Sequence, residues 1–370
     1  MENEQEILSR IALSFLPNIG PVATRALVRH CGSAEEVFRE KKKLLASIPG
    51  VGARRIEKAF GVSVMPRAEQ ELGFIKKHKV QVMFFTDVDY PRRLLQCHDA
   101  PALLYYKGST DLNRGRFVAL VGTRSSTEYG EELTKNLVQG LADHDICVVS
   151  GLAYGIDGCA HAESLRLKVP TVGVTAHGLD SIYPSSHRHI ARRMVKQGGL
   201  LTEYPSGTIP DRENFPSRNR IVAGMCDAVV VVEAAAKGGA LITADLAMGY
   251  ARDVFAFPGR VGDTQSEGCN NFIRENKAAL ITSAHDLLWM MGWKDEKTST
   301  KPSAHQTQLF IELDADQQRI VDVLRQHGES GQDAIAHHSG LGFSKLSGVL
   351  LELELKGVLK LLPGKRYKLN

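Results

Sequence analysis

Between residues 117 and 293 the chain alternates short apolar runs with longer stretches of helical periodicity. The runs are 117–121, 146–150, 171–176, 199–203, 227–233, 253–257 and 279–282. Most are continuously apolar instead of alternating with polar residues, as expected for strands covered on both faces. Helices of ordinary length fit between them. This repetition predicts an α/β fold built on a doubly wound, mostly parallel sheet. Ahead of it, residues 7–60 read as helices interrupted by two short turns, Leu16-Pro17-Asn18-Ile19-Gly20-Pro21 and Ile48-Pro49-Gly50-Val51-Gly52. Residues 66–112 form a bridge with two strand-like runs, 80–85 and 101–108, and a turn at Asp89-Tyr90-Pro91. A polar linker follows the sheet. The tail then offers three helical patterns, 316–326, 332–339 and 343–356, and a hairpin over 358–369 with a turn at Pro363-Gly364.

The expected domains are therefore 1–65, 66–293, a linker over 294–311, and 312–370. Each of the two N-terminal turns has the form apolar-Pro-x-apolar-Gly and opens a helix with small and basic residues, Val22-Ala23-Thr24-Arg25 and Ala53-Arg54-Arg55. This resembles a tandem helix-hairpin-helix, or SAM-like, domain, in which backbone N–H groups at a helix start meet a DNA phosphate. The bland alternative is a helical domain that only packs or dimerises. Three helices and a ribbon in the tail resemble a winged helix, and the central pattern is Rossmann-like. Over 312–370 eight basic residues balance eight acidic ones, with Lys360, Lys365, Arg366 and Lys368 gathered on the wing. Duplex DNA and a docking protein are both open as its partner.

Composition narrows the picture. The net charge of +4, from 46 basic and 42 acidic residues, is small, so any nucleic-acid site must concentrate its charge locally. The six cysteines are scattered with no CxxC pair, which suits reduced thiols in a cytoplasmic protein and not a disulfide or zinc framework. The acidic start has no apolar segment behind it, so no signal peptide is expected. No apolar run approaches the roughly 18 residues of a membrane span.

Ligands of open parallel sheets bind beyond the carboxyl ends of the strands. Four loops should meet there. The first, Gly122-Thr123-Arg124-Ser125, combines a glycine for close approach with a hydroxyl and a guanidinium for an anion. The second, Ser150-Gly151 onward, opens a helix carrying Asp157 and His161; that pair invites a catalytic reading, but dipole compensation and local bonding explain it more simply. The third supplies Tyr183, and its His187-x-His189 lacks a third metal ligand at useful spacing. The fourth ends in Arg212 and runs into Asn214-Phe215-Pro216-Ser217-Arg218-Asn219-Arg220. Arg218 and Arg220, two apart, leave a helix on roughly opposite sides, so one of them should be structural, tied to an acid such as Asp157 or Glu233. Phe215 beside a patch of arginines suits stacking of an unpaired base, which favours single strands over a duplex. Lys237-Gly238-Gly239 after the 227–233 run invites a phosphate, or serves helix packing. There is no GxGxxG with a ribose-binding acid and no GxxxxGK[ST], so neither a nicotinamide cofactor nor a P-loop nucleotide is expected.

The pieces VGTRSSTEYG, SGLAYGIDGCAH, GLDSIYP, EYPSGTIP, NFPSRNRIVAG, VVVEA, GALITA, FAFPG and GCNNFI occur in order between residues 121 and 273. Together they resemble the DprA/Smf family of DNA-processing proteins of natural transformation. The resemblance implies a recombination mediator and not an enzyme. Such a protein binds incoming single-stranded DNA, displaces or coexists with single-strand-binding protein, loads the RecA recombinase, and forms a homodimer through the central domain. It carries over to Arg124, Arg212, Asn214, Phe215, Arg218, Asn219 and Arg220 as strand-binding residues; the loop reading adds Gly122, Thr123, Ser150, Gly151, Tyr183 and Gly239, and no cofactor or metal is expected. Small departures are His187 in place of a common Asn, Ala176-His177 ahead of Gly178, and Gly239 in place of a frequent Ser. Two other classes stay open. A phosphoribohydrolase-like enzyme would carry PGGxGTxxE, whose Glu is missing from 236–245 here. A nucleotide-sensing regulator would bind a mononucleotide and signal through the winged helix.

Overall fold

The computed structural model describes residues 4–293, 313–362 and 366–369. The chain divides into two compact units, Met1–Lys294 and Asp295–Asn370. The first begins with six helices, α1 (Glu4–Ser14), α2 (Pro21–Cys31), α3 (Ala34–Arg39), α4 (Lys42–Ser47), α5 (Ala53–Ala59) and α6 (Met65–His78). The two anticipated turns separate α1 from α2 and α4 from α5. Gly52 precedes α5 at φ 81°, a left-handed conformation that favours glycine. Arg25, grouped by sequence with a basic helix start, turns inward instead. It is buried and donates to the carbonyls of Cys97, at 3.4 Å, and His98. Its charge closes a short helical turn and does not face solvent.

The strands β1 (Gln81–Phe84) and β2 (Leu103–Gly108), with α7 (Arg92–Leu95) between them, lead into the central sheet. That sheet alternates β3 (Arg116–Gly122), α8 (Glu128–Leu141), β4 (Ile146–Ser150), α9 (Ile156–Arg166), β5 (Thr171–Val174), α10 (Arg188–Gln197), β6 (Gly198–Thr202), α11 (Asn214–Gly224), β7 (Ala228–Glu233), α12 (Gly239–Gly249), β8 (Asp253–Ala256), α13 (Glu267–Arg274), β9 (Ala279–Leu280) and α14 (Ala284–Met290). All seven apolar runs appear as strands. The sheet order is β1-β2-β6-β5-β4-β3-β7-β8-β9, parallel from β6 to β9. Period two explains the unbroken apolar runs. Phe117, Ala119 and Val121 enter the core on one face, which continues into Ile11, Leu27 and Leu72 of the N-terminal helices. Val118 and Leu120 enter the other, under Leu137, Ile156 and Leu287.

From β3 the chain winds outward through β4, β5 and β6, then crosses back to place β7 on the opposite side of β3. The reversal opens a crevice at the carboxyl ends of β3 and β7, where doubly wound sheets bind ligands. At the far edge β2 enters antiparallel to β6, pairing Gly108 with Gly199. The Tyr106 ring packs against Gly199 at this junction, and its hydroxyl donates to the Gly198 carbonyl at 2.9 Å. A Cβ on Gly199 would lie 2.2 Å from Tyr106 Cε2.

The second unit contains α15 (Ala315–His327), β10 (Ser330–Gly331), α16 (Gln332–Ser339), α17 (Phe343–Leu355), β11 (Leu359–Leu362) and β12 (Arg366–Leu369). Its strands pair in the order β10-β12-β11 over a core of Ile320, Leu324, Ile335, Leu346, Leu350 and Leu353. This is a winged helix, with a short third strand that the sequence pattern does not show. Asp314 opens α15 with a reciprocal capping box to Gln317. Arg366 of the wing pairs with Glu329 at 3.1 Å. The linker over 294–311, the turn at Pro363-Gly364, and Lys365 lie outside the described residues.

Gly199→Ala should destabilise the first unit by roughly 1–3 kcal/mol, because the added methyl meets the Tyr106 ring in an already filled junction. Gly249→Ala, where a Cβ meets nothing within 4 Å, should not. Urea unfolding of both variants checks this; equal midpoints would show that the β2–β6 contact has slack.

Candidate nucleic-acid interface

The end of β3 is shaped by its neighbours. Thr123 N donates to the Glu233 carbonyl at 2.7 Å, and Ile156 N donates to the Thr123 carbonyl at 3.2 Å. Gly155, at φ 71°, makes this contact possible, since a Cβ there would stand 2.2 Å from Thr123 O. Arg124 is thereby held at the rim with its side chain exposed. The buried Glu233 carboxylate accepts from Thr127 N at 2.9 Å and from Thr127 Oγ1, anchoring the start of α8. Gly122 also packs tightly: a Cβ there would strike Ile156 Cγ1 at 2.4 Å.

Arg218 is buried at the carboxyl ends of β4 and β5, where its guanidinium donates to the carbonyls of Gly151 and Val174. Burial pulls its pKa down to about 10, opposed by the nearby Asp157 carboxylate, so it stays cationic at neutral pH. Asp157 accepts from Gly151 N at 3.0 Å and Ala153 N at 3.4 Å. Burial raises its pKa, while Arg218 and these donors hold it down. The Arg218 Nε–H donates to Asn219 Oδ1 at 3.2 Å, and the Asn219 amide donates to the Gly239 carbonyl at 3.2 Å, tying α11 to the start of α12. Arg220 points away and pairs with Glu203. Both arginines of the Arg-Asn-Arg run are thus engaged inside the fold, and neither takes Glu233 as partner.

The loops enclose a cleft of about 670 Å³. Of the residues singled out in the sequence, it is lined by Gly122, Thr123, Arg124, Gly151, Tyr183, Arg212, Phe215, Arg218, Asn219 and Gly239. Three stand outside it. Ser150 is fully buried, its hydroxyl donating to the Leu120 carbonyl at 2.6 Å. Asn214 begins α11, where its carbonyl accepts from the Tyr204 hydroxyl at 3.4 Å. Arg220 is turned to Glu203. The cleft adds Asp157, Lys237, Ile242 and Thr243 to its walls. Lys237 carried a legible signal, a cation beside Gly-Gly at a strand–helix junction; Ile242 and Thr243 lie in the GALITA piece but were not singled out as site residues.

Charge in the cleft is one-sided. Arg124, Arg212, Arg218 and Lys237 face a single carboxylate, Asp157, which is already shared among Arg218 and two amides. Among the described residues no carboxylate pairs with Arg124, Arg212 or Lys237. Arg124 lies over the Phe215 ring at 5.0 Å, Arg218 at 5.9 Å, and the Tyr183 ring sits 6.0 Å from Phe215. On the opposite wall no side chain caps α12, and Gly238 and Gly239 leave its first N–H groups open to the cleft. Such a helix start accepts a phosphate.

The Asp157–His161 pair does not form. His161 is fully buried and contacts Thr171 Oγ1 at 2.7 Å, and burial pushes its pKa down to about 3, so it is neutral at physiological pH. His187 and His189 contact the backbone carbonyls of Leu152, at 3.1 Å, and Ser186, at 3.0 Å. Among the described residues no three His, Cys, Asp or Glu side chains are grouped to hold a metal. No described helix is long and apolar enough to cross a membrane.

Residues 81–292 match the family model described as DNA recombination-mediator protein A, and residues 302–365 match the DprA winged helix domain. Protein Smf from Synechocystis sp. is 32% identical over 389 residues, covering 97% of this chain and 97% of that protein. DNA processing protein DprA from Streptococcus pneumoniae is 42% identical over 199 residues, covering 54% of this chain and 70% of that protein. Its X-ray structure superimposes with a TM-score of 0.67 at 33% identity, over 78% of this chain and 98% of that one. The DNA processing protein A structure from Helicobacter pylori, described for its single-stranded DNA binding mode, superimposes with a TM-score of 0.53 at 28% identity, over 58% and 96% of the two chains.

Replacing Arg218 by Met should leave the Asp157 carboxylate buried without its cation and raise its pKa further. A carboxyl group whose folded pKa lies above its unfolded value of about 3.9 loses stability as pH rises through the folded value. Arg218→Met also leaves the Gly151 and Val174 carbonyls without its guanidinium at every pH, so the destabilisation should be present throughout and grow between about pH 5 and about pH 8, to roughly 3–5 kcal/mol. Urea midpoints across that range test it; a loss independent of pH would uncouple the two residues.

Proposed function

The chain belongs to the DNA recombination-mediator protein A family, and on that premise we propose that its cleft binds single-stranded DNA and presents the strand to a RecA recombinase, sheltering it in the meantime. The observation that carries the reading is the Arg124–Phe215 stack beneath a rim of unpaired cations. Arg124, Arg212, Lys237 and the open start of α12 supply attraction for phosphates. Phe215 and Tyr183 supply ring faces for bases. A duplex hides its base faces by stacking them on each other, so only an unpaired strand engages both features. The buried acid of the cleft fits a scaffold role, because Asp157 is occupied by backbone amides and Arg218.

Fluorescence anisotropy on labelled oligo-dT at several salt concentrations tests the reading. Arg124→Ala and Arg212→Ala should each weaken binding and lower the salt slope by about 0.7, the share of one phosphate contact on a single strand. Phe215→Ala should weaken binding by about 1–3 kcal/mol. Its effect and that of Arg124→Ala should add to less than their sum, because the guanidinium rests on the ring. Wild-type binding by Arg124→Ala would remove the cleft as the binding site.

A further inference from the structure

Arg212 reaches the cleft from the segment 203–213, which joins β6 to α11 without regular structure of its own. Ile209 at its tip is 73% exposed, and Arg212 is exposed as well. Such a connection is ordinarily mobile. Here it is fastened from two sides. The loop after β5 holds it through Asp180 Oδ1, which accepts from Gly207 N at 3.0 Å, and through Gly178 N, which donates to the Thr208 carbonyl at 3.1 Å. The other fastening comes from α6, among the N-terminal helices. The Glu71 carboxylate is fully buried and accepts from Ser206 N at 3.0 and 3.1 Å and from Ser206 Oγ. Arg67 pairs with Glu71 at 2.9 Å, donates to the Ser206 carbonyl, and lies over the Phe15 ring, just after α1, at 4.9 Å.

We propose that Glu71, supported by Arg67, is a positioning residue for the strand-binding cleft: it clamps the 203–213 arm so that Arg212 is pre-ordered for a phosphate. The proposal rests on the single-strand reading above. It also gives the N-terminal helices a part in binding without any contact with DNA. Burying a carboxylate is unfavourable unless its hydrogen bonds are well made. Apart from Arg67 on its own helix, the partner that meets this one is Ser206 of the arm, so what it stabilises is the arm's conformation. Without the clamp, the arm must be ordered on binding, which weakens affinity but leaves the number of phosphate contacts in the complex unchanged.

The test is a double-mutant cycle in the full chain with oligo-dT at several salt concentrations. Glu71→Ala should weaken binding roughly three- to ten-fold with an unchanged salt slope, whereas Arg212→Ala lowers the slope. In the Arg212→Ala background, Glu71→Ala should have little further effect. Glu71→Gln keeps one acceptor oxygen for Ser206 and should restore part of the affinity. Trypsin should cut after Arg212 faster in Glu71→Ala than in wild type. Equal losses in both backgrounds would make Glu71 a general stabilising residue and overturn the proposal, as would wild-type affinity of Glu71→Ala. If Glu71→Ala fails to fold, Arg67→Met carries the same cycle. Absence of oligo-dT binding by wild type would instead overturn the single-strand reading itself; wild-type binding without coupling overturns only the clamp.

Discussion

A guanidinium set into the carboxyl ends of two parallel strands governs the geometry of this cleft. Left alone, a buried cation is unfavourable by several kcal/mol. Arg218 is compensated by the carbonyls of Gly151 and Val174 and by the field of Asp157. Each compensation has a structural consequence. Gly151 must lack a side chain, because a Cβ would lie 2.5 Å from Arg218 Nη1. Asp157 must turn back onto the amides of its own loop. The first turn of α11 is fixed in rotation, and Phe215, three residues earlier on the same face, is aimed under Arg124. Asn219 extends the network to α12. One buried charge thus sets the ends of β4 and β5 and the helix that follows β6.

That arrangement divides the basic residues into two populations. Arg25, Arg67, Arg218 and Arg220 are engaged by carbonyls or carboxylates within the fold. Arg124, Arg212 and Lys237 are held at the cleft with no carboxylate partner among the described residues. The modest net charge of +4 conceals this division. Affinity for a polyanion depends on how many cations remain unpaired along one path, and the total has little bearing on it. The buried group contributes through placement. Arg124 and Arg218 both lie against the Phe215 ring, so the aromatic platform and the basic residues of the cleft are parts of one assembly.

The central fold was legible because each strand is buried on both faces, which writes an unbroken apolar run into the sequence. Parallel strands end on the same side, so the convergence of the four loops also followed from the pattern. The spacing of Arg218 and Arg220 put them on different sides of their helix, and only Arg218 lines the cleft. It could not show that both are internally engaged, because Glu203 lies in a different element and acts only through the sheet. Gly122 read as a close approach for a ligand; that Ile156 and Arg218 fill the space side chains at Gly122 and Gly151 would need was visible only in three dimensions. Arg25 was grouped with a basic helix start, and only the turn after α7, whose Cys97 and His98 carbonyls accept from it, draws it inward.

Local patterning by itself determined the sheet, the helices and the winged helix, and it marked the loops where chemistry gathers. Period and punctuation are properties of neighbouring residues, so they survive in one dimension. Which cation is spent and which is free was decided only in three dimensions, since pairing is a matter of distance through space. Ser206 and Glu71 lie 135 positions apart, and no pattern along the chain joins them. Their contact exists because the N-terminal helices share a core with the sheet, and that shared core brings α6 to the arm that carries Arg212.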